Sequence, residues 1–221
     1  MCQAVDVLNK MLSAAKIPSA AKDSELLVSK FESITYLMQC DPFALKEYTG
    51  CNDKTLHLIR LAAELTSRRI TDRFKPGRKY SDEEYRLFAA GLMLAYTVEN
   101  AYCILLDASG RFISVEWLGE GVINSVAITP RKMLECAFRN KAKQIILIHN
   151  HPCGDPKPSD DDMRATSTFR SAAESSGVKL LAHYVVSGFN VCDALRSISF
   201  PTNSDNENEI MRVSVPVLDK E

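Results

Sequence analysis

His149-Asn150-His151-Pro152-Cys153-Gly154-Asp155-Pro156-Lys157-Pro158-Ser159-Asp160-Asp161-Asp162 follows directly on an apolar run, Ile145-Ile146-Leu147-Ile148. The run is short and β-branched, which predicts a buried strand. His149 and His151 stand two apart at its end. In extended chain residues i and i+2 share a face, so both imidazoles reach one point. Pro152, Gly154, Pro156 and Pro158 exclude regular structure and predict a stiff loop. Ser159 then opens a helix, with Asp162 three residues on. On one reading Ser159-x-x-Asp162 is a capping box, the serine on the backbone and the acid reaching back. On the other, Asp162 joins the two histidines as a third ligand. Two imidazoles and one carboxylate suit Zn²⁺, and three protein ligands leave a fourth position for water, as in catalytic rather than structural zinc sites.

Upstream of this stretch the chain changes character. Residues 1 to about 76 read as a small all-helical domain. Amphipathic stretches run from Val5 to Ala15 and from Asp23 to Phe31. Asp41-Pro42 starts a third helix with proline in its first turn. Tyr48 to Asn52 is a break, and Lys54 to Arg69 a fourth helix. A basic linker carrying Arg73, Lys75, Arg78 and Lys79 marks the boundary. Residues 77–198 form the second domain. Ser81-Asp82-Glu83-Glu84 is a helix start, with that helix running to about Thr97. Ala101–Leu106 and Phe112–Trp117 read as a hairpin around Asp107-Ala108-Ser109-Gly110. Val122–Ala127 reads as a strand, Thr129-Pro130 opens a helix to about Lys141, Ser159–Ser176 is a helix and Val178–Val186 a strand. Residues 199–221 read as a polar tail, with Met211–Leu218 a stray edge strand. Helices mixed with strands and hairpins predict an α/β or α+β architecture.

Hydrophobic residues make up 46% of the 221, charged ones 25%, and the formal net charge is −1, so bulk charge draws the chain neither to nucleic acid nor to a membrane. No apolar run reaches spanning length. Seven scattered cysteines with no Cys-x-x-Cys pair point to a reducing compartment, hence the cytoplasm.

His-x-His, seven residues, then Ser-x-x-Asp resembles the JAMM (MPN/JAB) metalloprotease motif. The longer string His-Asn-His-Pro-x-Gly-x-Pro-x-Pro-Ser-x-x-Asp, followed by Thr166, resembles the RadC family. The resemblance implies an MPN fold, a curved mixed sheet flanked by helices, holding Zn²⁺ on His149, His151 and Asp162. It implies a general base at Glu99, in Glu-Asn-Ala-Tyr-Cys-Ile-Leu-Leu-Asp at the start of an apolar strand, with Glu116, Glu120 and Glu135 as rivals. It gives Ser159 the oxyanion of the tetrahedral intermediate, beside its N-cap role. It implies an amide or isopeptide bond in a peptide or protein substrate.

The N-terminal helices resemble the family's helix-hairpin-helix module, whose turn amides contact DNA phosphates. That makes Gly50, Asn52 and Lys54 candidates for weak, non-specific DNA binding. The alternative function is a DNA-associated repair-type protein whose metal site is structural. Asn52 replaces the usual second glycine and is expected to tolerate φ > 0. Three further positions depart from the family. Cys153 stands where serine is usual. Ala182 precedes His183 where the family often has aspartate, a candidate support for a ligand. Asn190-Val191-Cys192 stands for Tyr-x-Ser. His183 reads as a satisfied histidine near the site, and Asn150 as a loop-shaping residue.

Overall fold

The structure, a computed structural model, describes residues 3–31, 33–121, 128–152, 154–199 and 210–213. Five helices come first: α1 (Gln3–Ala14), α2 (Ala20–Lys30), α3 (Ile34–Gln39), α4 (Pro42–Thr49) and α5 (Asp53–Thr71). Leu8, Leu12, Leu27, Leu37, Leu45 and Ile59 close a core of their own between them. α3 is a helix the periodicity did not announce. Six residues are too few to display a repeat, and its start is set by Ser33, whose side chain accepts from the Thr35 amide.

α5 reaches past this core. Its last buried residue, Ile70, sits in a second apolar cluster, with residues that follow in the chain. It lies against Gly91 so closely that a Cβ there would come within 2.5 Å of Ile70 Cγ2. Gln39 adds a polar tie, donating to the Met93 carbonyl and accepting from the Gly188 amide at 2.6 Å.

The rest is α6 (Asp82–Met93), β1 (Asn100–Leu106), β2 (Phe112–Glu120), α7 (Pro130–Arg139), β3 (Gln144–Asn150), α8 (Asp160–Ser175), β4 (Lys179–Ser187), β5 (Asn190–Asp193), α9 (Ala194–Ser199) and β6 (Met211–Arg212). The strands form one mixed sheet in the order β2-β1-β3-β4-β5-β6. Only β3 and β4 run parallel, joined through α8. The sheet is covered on both faces. Ile104, Ile146, Ile148, Tyr184 and Val186 pack under α6 with Phe88 and Met93. Cys103, Leu105, Ile145, Leu147 and Leu180 pack under α7 and α8 with Met133, Phe169 and Ala173. Period-two alternation sends successive residues of each strand to opposite layers. Burying each such large apolar side chain contributes roughly 1.5–3 kcal/mol.

β4 breaks its own alternation once. Ile145 pairs with Leu180 and Ile146 with Ala182, leaving Leu181 as an extra residue. A one-residue insertion flips every later side chain to the other face. Leu180 and His183 therefore both face the α8 layer, and Ala182 faces α6.

On the α6 side Arg86 is buried, bonded to Asp82 at 2.8 Å and lying over the Tyr184 ring. Tyr184 Oη donates to the same Asp82 at 2.6 Å. Burial and the Asp82 carboxylate together raise the Tyr184 phenol well above its usual range.

The expected strand at Val122–Ala127 lies outside the described residues, as do residues 200–209 and 214–221 of the tail. Of the expected Met211–Leu218 strand, Met211–Arg212 is described, pairing with β5. No described helix is long and apolar enough to cross a membrane.

Candidate metal centre

β3 ends at Asn150, and the chain leaves the sheet through His151, whose amide still donates to the Val186 carbonyl at 2.8 Å. That last bond keeps His151 extended, on the same side as His149. α8 begins beneath them. Its N-cap is Ser159, with a full capping box: Asp162 N donates to Ser159 Oγ at 3.2 Å and Ser159 N donates to Asp162 Oδ2 at 2.8 Å. The capping reading of Asp162 is realised, and the carboxylate, having two oxygens, still presents one to the histidines. Oδ2 takes the cap and the Ser159 hydroxyl (2.6 Å), while Oδ1 faces His149 Nε2 at 3.2 Å.

The three side chains converge. His149 Nε2 and His151 Nε2 are 3.0 Å apart, and His151 Nε2 is 3.4 Å from Asp162 Oδ2. Bonds of 2.0–2.1 Å in a tetrahedral zinc shell put ligand atoms about 3.3–3.4 Å apart, and the spacings between the two imidazoles and from each to a carboxylate oxygen are close to that size. Among the described residues this is the group of His, Cys, Asp and Glu gathered closely enough to hold a metal ion. Its chemistry agrees. His151 Nδ1 faces the Asp155 carbonyl at 2.8 Å, which only accepts, so Nδ1 carries the proton and Nε2 of the neutral ring presents a lone pair inward.

Burial lowers the His149 pKa, against the pull of Asp162. At His151 burial is outweighed by the Asp162 and Asp155 hydrogen bonds, and its pKa rises. Burial also opposes ionisation of Asp162, yet the His149 and His151 hydrogen bonds hold its carboxyl well below the usual carboxylate range. A buried carboxylate with two imidazole nitrogens at 3.2 and 3.4 Å is a concentration of negative charge that a cation would complement.

Glu99 lies one residue before β1. Ala101 pairs with His149 across the β1–β3 ladder. Glu99 lies two residues before Ala101, next to the Asn100 amide that Asn150 holds. Its negative charge acts on both imidazoles. Glu116 is engaged elsewhere, with Arg139 and Asn140.

Asn150, between the two histidines, has a larger role than shaping a loop. It is fully buried. Its Oδ1 accepts from the Asn100 amide at 2.7 Å, and its Nδ2 donates to the Val98 carbonyl at 3.1 Å. The two backbone groups flanking Glu99 are therefore clamped by the residue that separates the histidines. Alternation already turned Asn150 away from the centre; what it turned towards is a long-range contact no local pattern displays.

Two further residues join the centre. His183 Nε2 lies 2.9 Å from His149 Nδ1, and His183 Nδ1 lies 2.6 Å from Thr166 Oγ1. His183 is the expected near-site histidine. The expectation for position 182 is corrected: Ala182 faces the α6 layer, so an aspartate there could not reach a ligand on the other face. Cys153 lies outside the described residues.

Gly50, Asn52 and Lys54 are far from this centre in sequence and belong to the α4–α5 turn. Gly50 ends α4 at φ 68, in the left-handed region that favours glycine. The expectation of φ > 0 at Asn52 is corrected. Its φ is −75 and its side chain caps α5, accepting from the Thr55 amide at 2.9 Å. Lys54 is exposed, beside the Lys46–Asp53 ion pair.

A family model described as RadC-like JAB domain matches residues 79–199. The chain is similar to a UPF0758 protein of Desulforudis audaxviator, 28% identical over 186 residues, or 82% of this chain and 80% of that protein. It is also similar to a UPF0758 protein of Chromobacterium violaceum, 29% identical over 171 residues, or 77% and 76% of the two chains.

Proposed function

The chain belongs to the RadC-like JAB domain family, and from that premise we propose that it is a zinc-dependent hydrolase of amide or isopeptide bonds in a peptide or protein. The observation that supports this most is the convergence of His149 Nε2, His151 Nε2 and the Asp162 carboxylate, with the charge of Glu99 acting on both imidazoles. Zn²⁺ held by these three residues would supply a Lewis acid and lower the pKa of a water in its open position to about 7. Glu99 is the general base: it takes a proton from the attacking water and returns it to the leaving amine. Its backbone is held for this by the Asn150 clamp on either side.

Ser159 divides its work. Its hydroxyl proton goes to Asp162 Oδ2 here, which orients the carboxylate so that Oδ1 faces the histidines. To steady an oxyanion the hydroxyl rotates away, leaving Asp162 Oδ2 on the Ser159 amide. The compartment we propose is the cytoplasm, where the buried thiols of Cys51, Cys103, Cys136 and Cys192 stay reduced.

The test pairs elemental analysis of the purified protein with a panel of fluorogenic peptide and isopeptide substrates. Wild type carries one zinc per chain. Glu99→Gln keeps the zinc and loses about 10²- to 10⁴-fold in rate on any substrate cleaved. Zinc-loaded protein inert on the whole panel, or Glu99→Gln turning over normally, overturns the assignment.

A further inference from the structure

Thr166 and His183 are fully buried, on α8 and β4, and the hydrolytic reading above gives neither a part. With a neutral His183 ring, their hydrogen bonds admit one arrangement of protons. Thr166 Oγ1 is 2.6 Å from the Asp162 carbonyl. A carbonyl only accepts, so the single hydroxyl proton of Thr166 is spent there. Towards His183 Nδ1, also 2.6 Å away, Thr166 can then only accept, and Nδ1 carries a proton. In a neutral ring Nε2 is left bare, and it faces His149 Nδ1 at 2.9 Å. His149 must therefore hold its own proton on Nδ1. Its Nε2 is bare and turned to the point where His151 and Asp162 meet.

We infer that Thr166 and His183 are positioning residues that fix His149 in its Nδ1–H tautomer and so keep its Nε2 lone pair on the metal position. The inference deepens the metal-centre reading and rests on it. The chain of bonds is closed: it starts at the main-chain carbonyl of one ligand, Asp162, and ends on the ring of another, His149. Its geometry depends on two features of the fold. Thr166 lies one helical turn beyond Asp162 on α8. The extra residue Leu181 turns His183 to the α8 face. The ring is fully buried, and its two nitrogens face Thr166 Oγ1 and His149 Nδ1 rather than a carboxylate, which favours the neutral form.

The experiment has two readouts. The first is the tautomer of each ring, read from ¹⁵N-labelled histidine spectra; with four histidines in the chain, single substitutions assign the signals. Wild type is expected to show His149 and His183 protonated on Nδ1. The second is zinc affinity by chelator competition. Thr166→Val keeps the shape and removes the acceptor, so affinity falls about 10- to 100-fold, the usual loss on removing a ligand's outer partner. Thr166→Ser restores it. His183→Gln, whose amide oxygen can accept from His149 Nδ1, stays nearer to wild type than His183→Leu, and this pair carries the test should Thr166→Val not fold.

Proton on His149 Nε2 in wild type, or equal affinities in Thr166→Val and Thr166→Ser, overturns the inference even with zinc bound. If wild type binds no zinc, the hydrolase reading falls. The tautomers then decide this one alone: a change at His149 in Thr166→Val upholds it and none refutes it.

Discussion

Asn150→Ala isolates the clamp that joins the histidine strand to the segment carrying Glu99. The magnitude follows from what each bond leaves behind. Asn100 is buried, and its amide donates to Asn150 Oδ1 at 2.7 Å. Truncation orphans that donor, which costs about 1–3 kcal/mol. The Val98 carbonyl loses the Asn150 Nδ2 donor at 3.1 Å but keeps Asn100 Nδ2 at 3.2 Å, so its share is the net value of one bond, about 0.5–1.5 kcal/mol. Together the loss is about 2–4 kcal/mol. In a chain of this size each kcal/mol moves Tm by about 2–4 °C, so differential scanning fluorimetry should show a fall of roughly 5–15 °C. Asn150→Asp retains the acceptor for Asn100 but turns a carboxylate on the Val98 carbonyl, and is expected to be no better than alanine. A fall of less than about 1 kcal/mol for Asn150→Ala in denaturant melts would refute the clamp.

Other expectations concern the metal, protons and DNA. His149→Ala, His151→Ala and Asp162→Ala should each lose zinc by elemental analysis while the fold survives, since β3 and α8 pack through Ile145, Leu147 and Phe169 rather than through the ion. In metal-free protein, His149 and His183 have folded pKa values below the unfolded value of about 6.5. Their contribution is present above that value. It is lost as pH falls below that value, because the unfolded chain binds protons the folded one refuses. His151, raised instead, contributes below about 6.5 and loses that share as pH rises, so chelated protein should be most stable near neutrality. Urea melts from about pH 7 to pH 5 check this, and His183→Gln should remove one ring's share of the acid slope. DNA binding, if measured by anisotropy, should be weak, indifferent to sequence and steeply weakened by salt; tight binding to one sequence at physiological salt would contradict the self-capped α4–α5 turn.

Much of the centre was legible without coordinates because its logic is local. A β-branched run placed β3, a two-residue period put His149 and His151 on one face, and Ser159-x-x-Asp162 set the start of α8 and the orientation of Asp162. These follow from backbone periodicity and capping, which act over a few residues. What tertiary structure alone decided involves partners distant in sequence. Asn150 holds Val98 and Asn100 across the β1–β3 ladder. Glu99 acts on His149 and His151 across a strand pairing that spacing does not encode. His183 reaches His149 because one extra residue, Leu181, reverses the facing of β4, and that reversal sends position 182 to the opposite layer. A bulge of this kind is set by how β4 packs between two helical layers and not by the propensities of Lys179 to His183, so the strand's composition carries no trace of which face each residue takes.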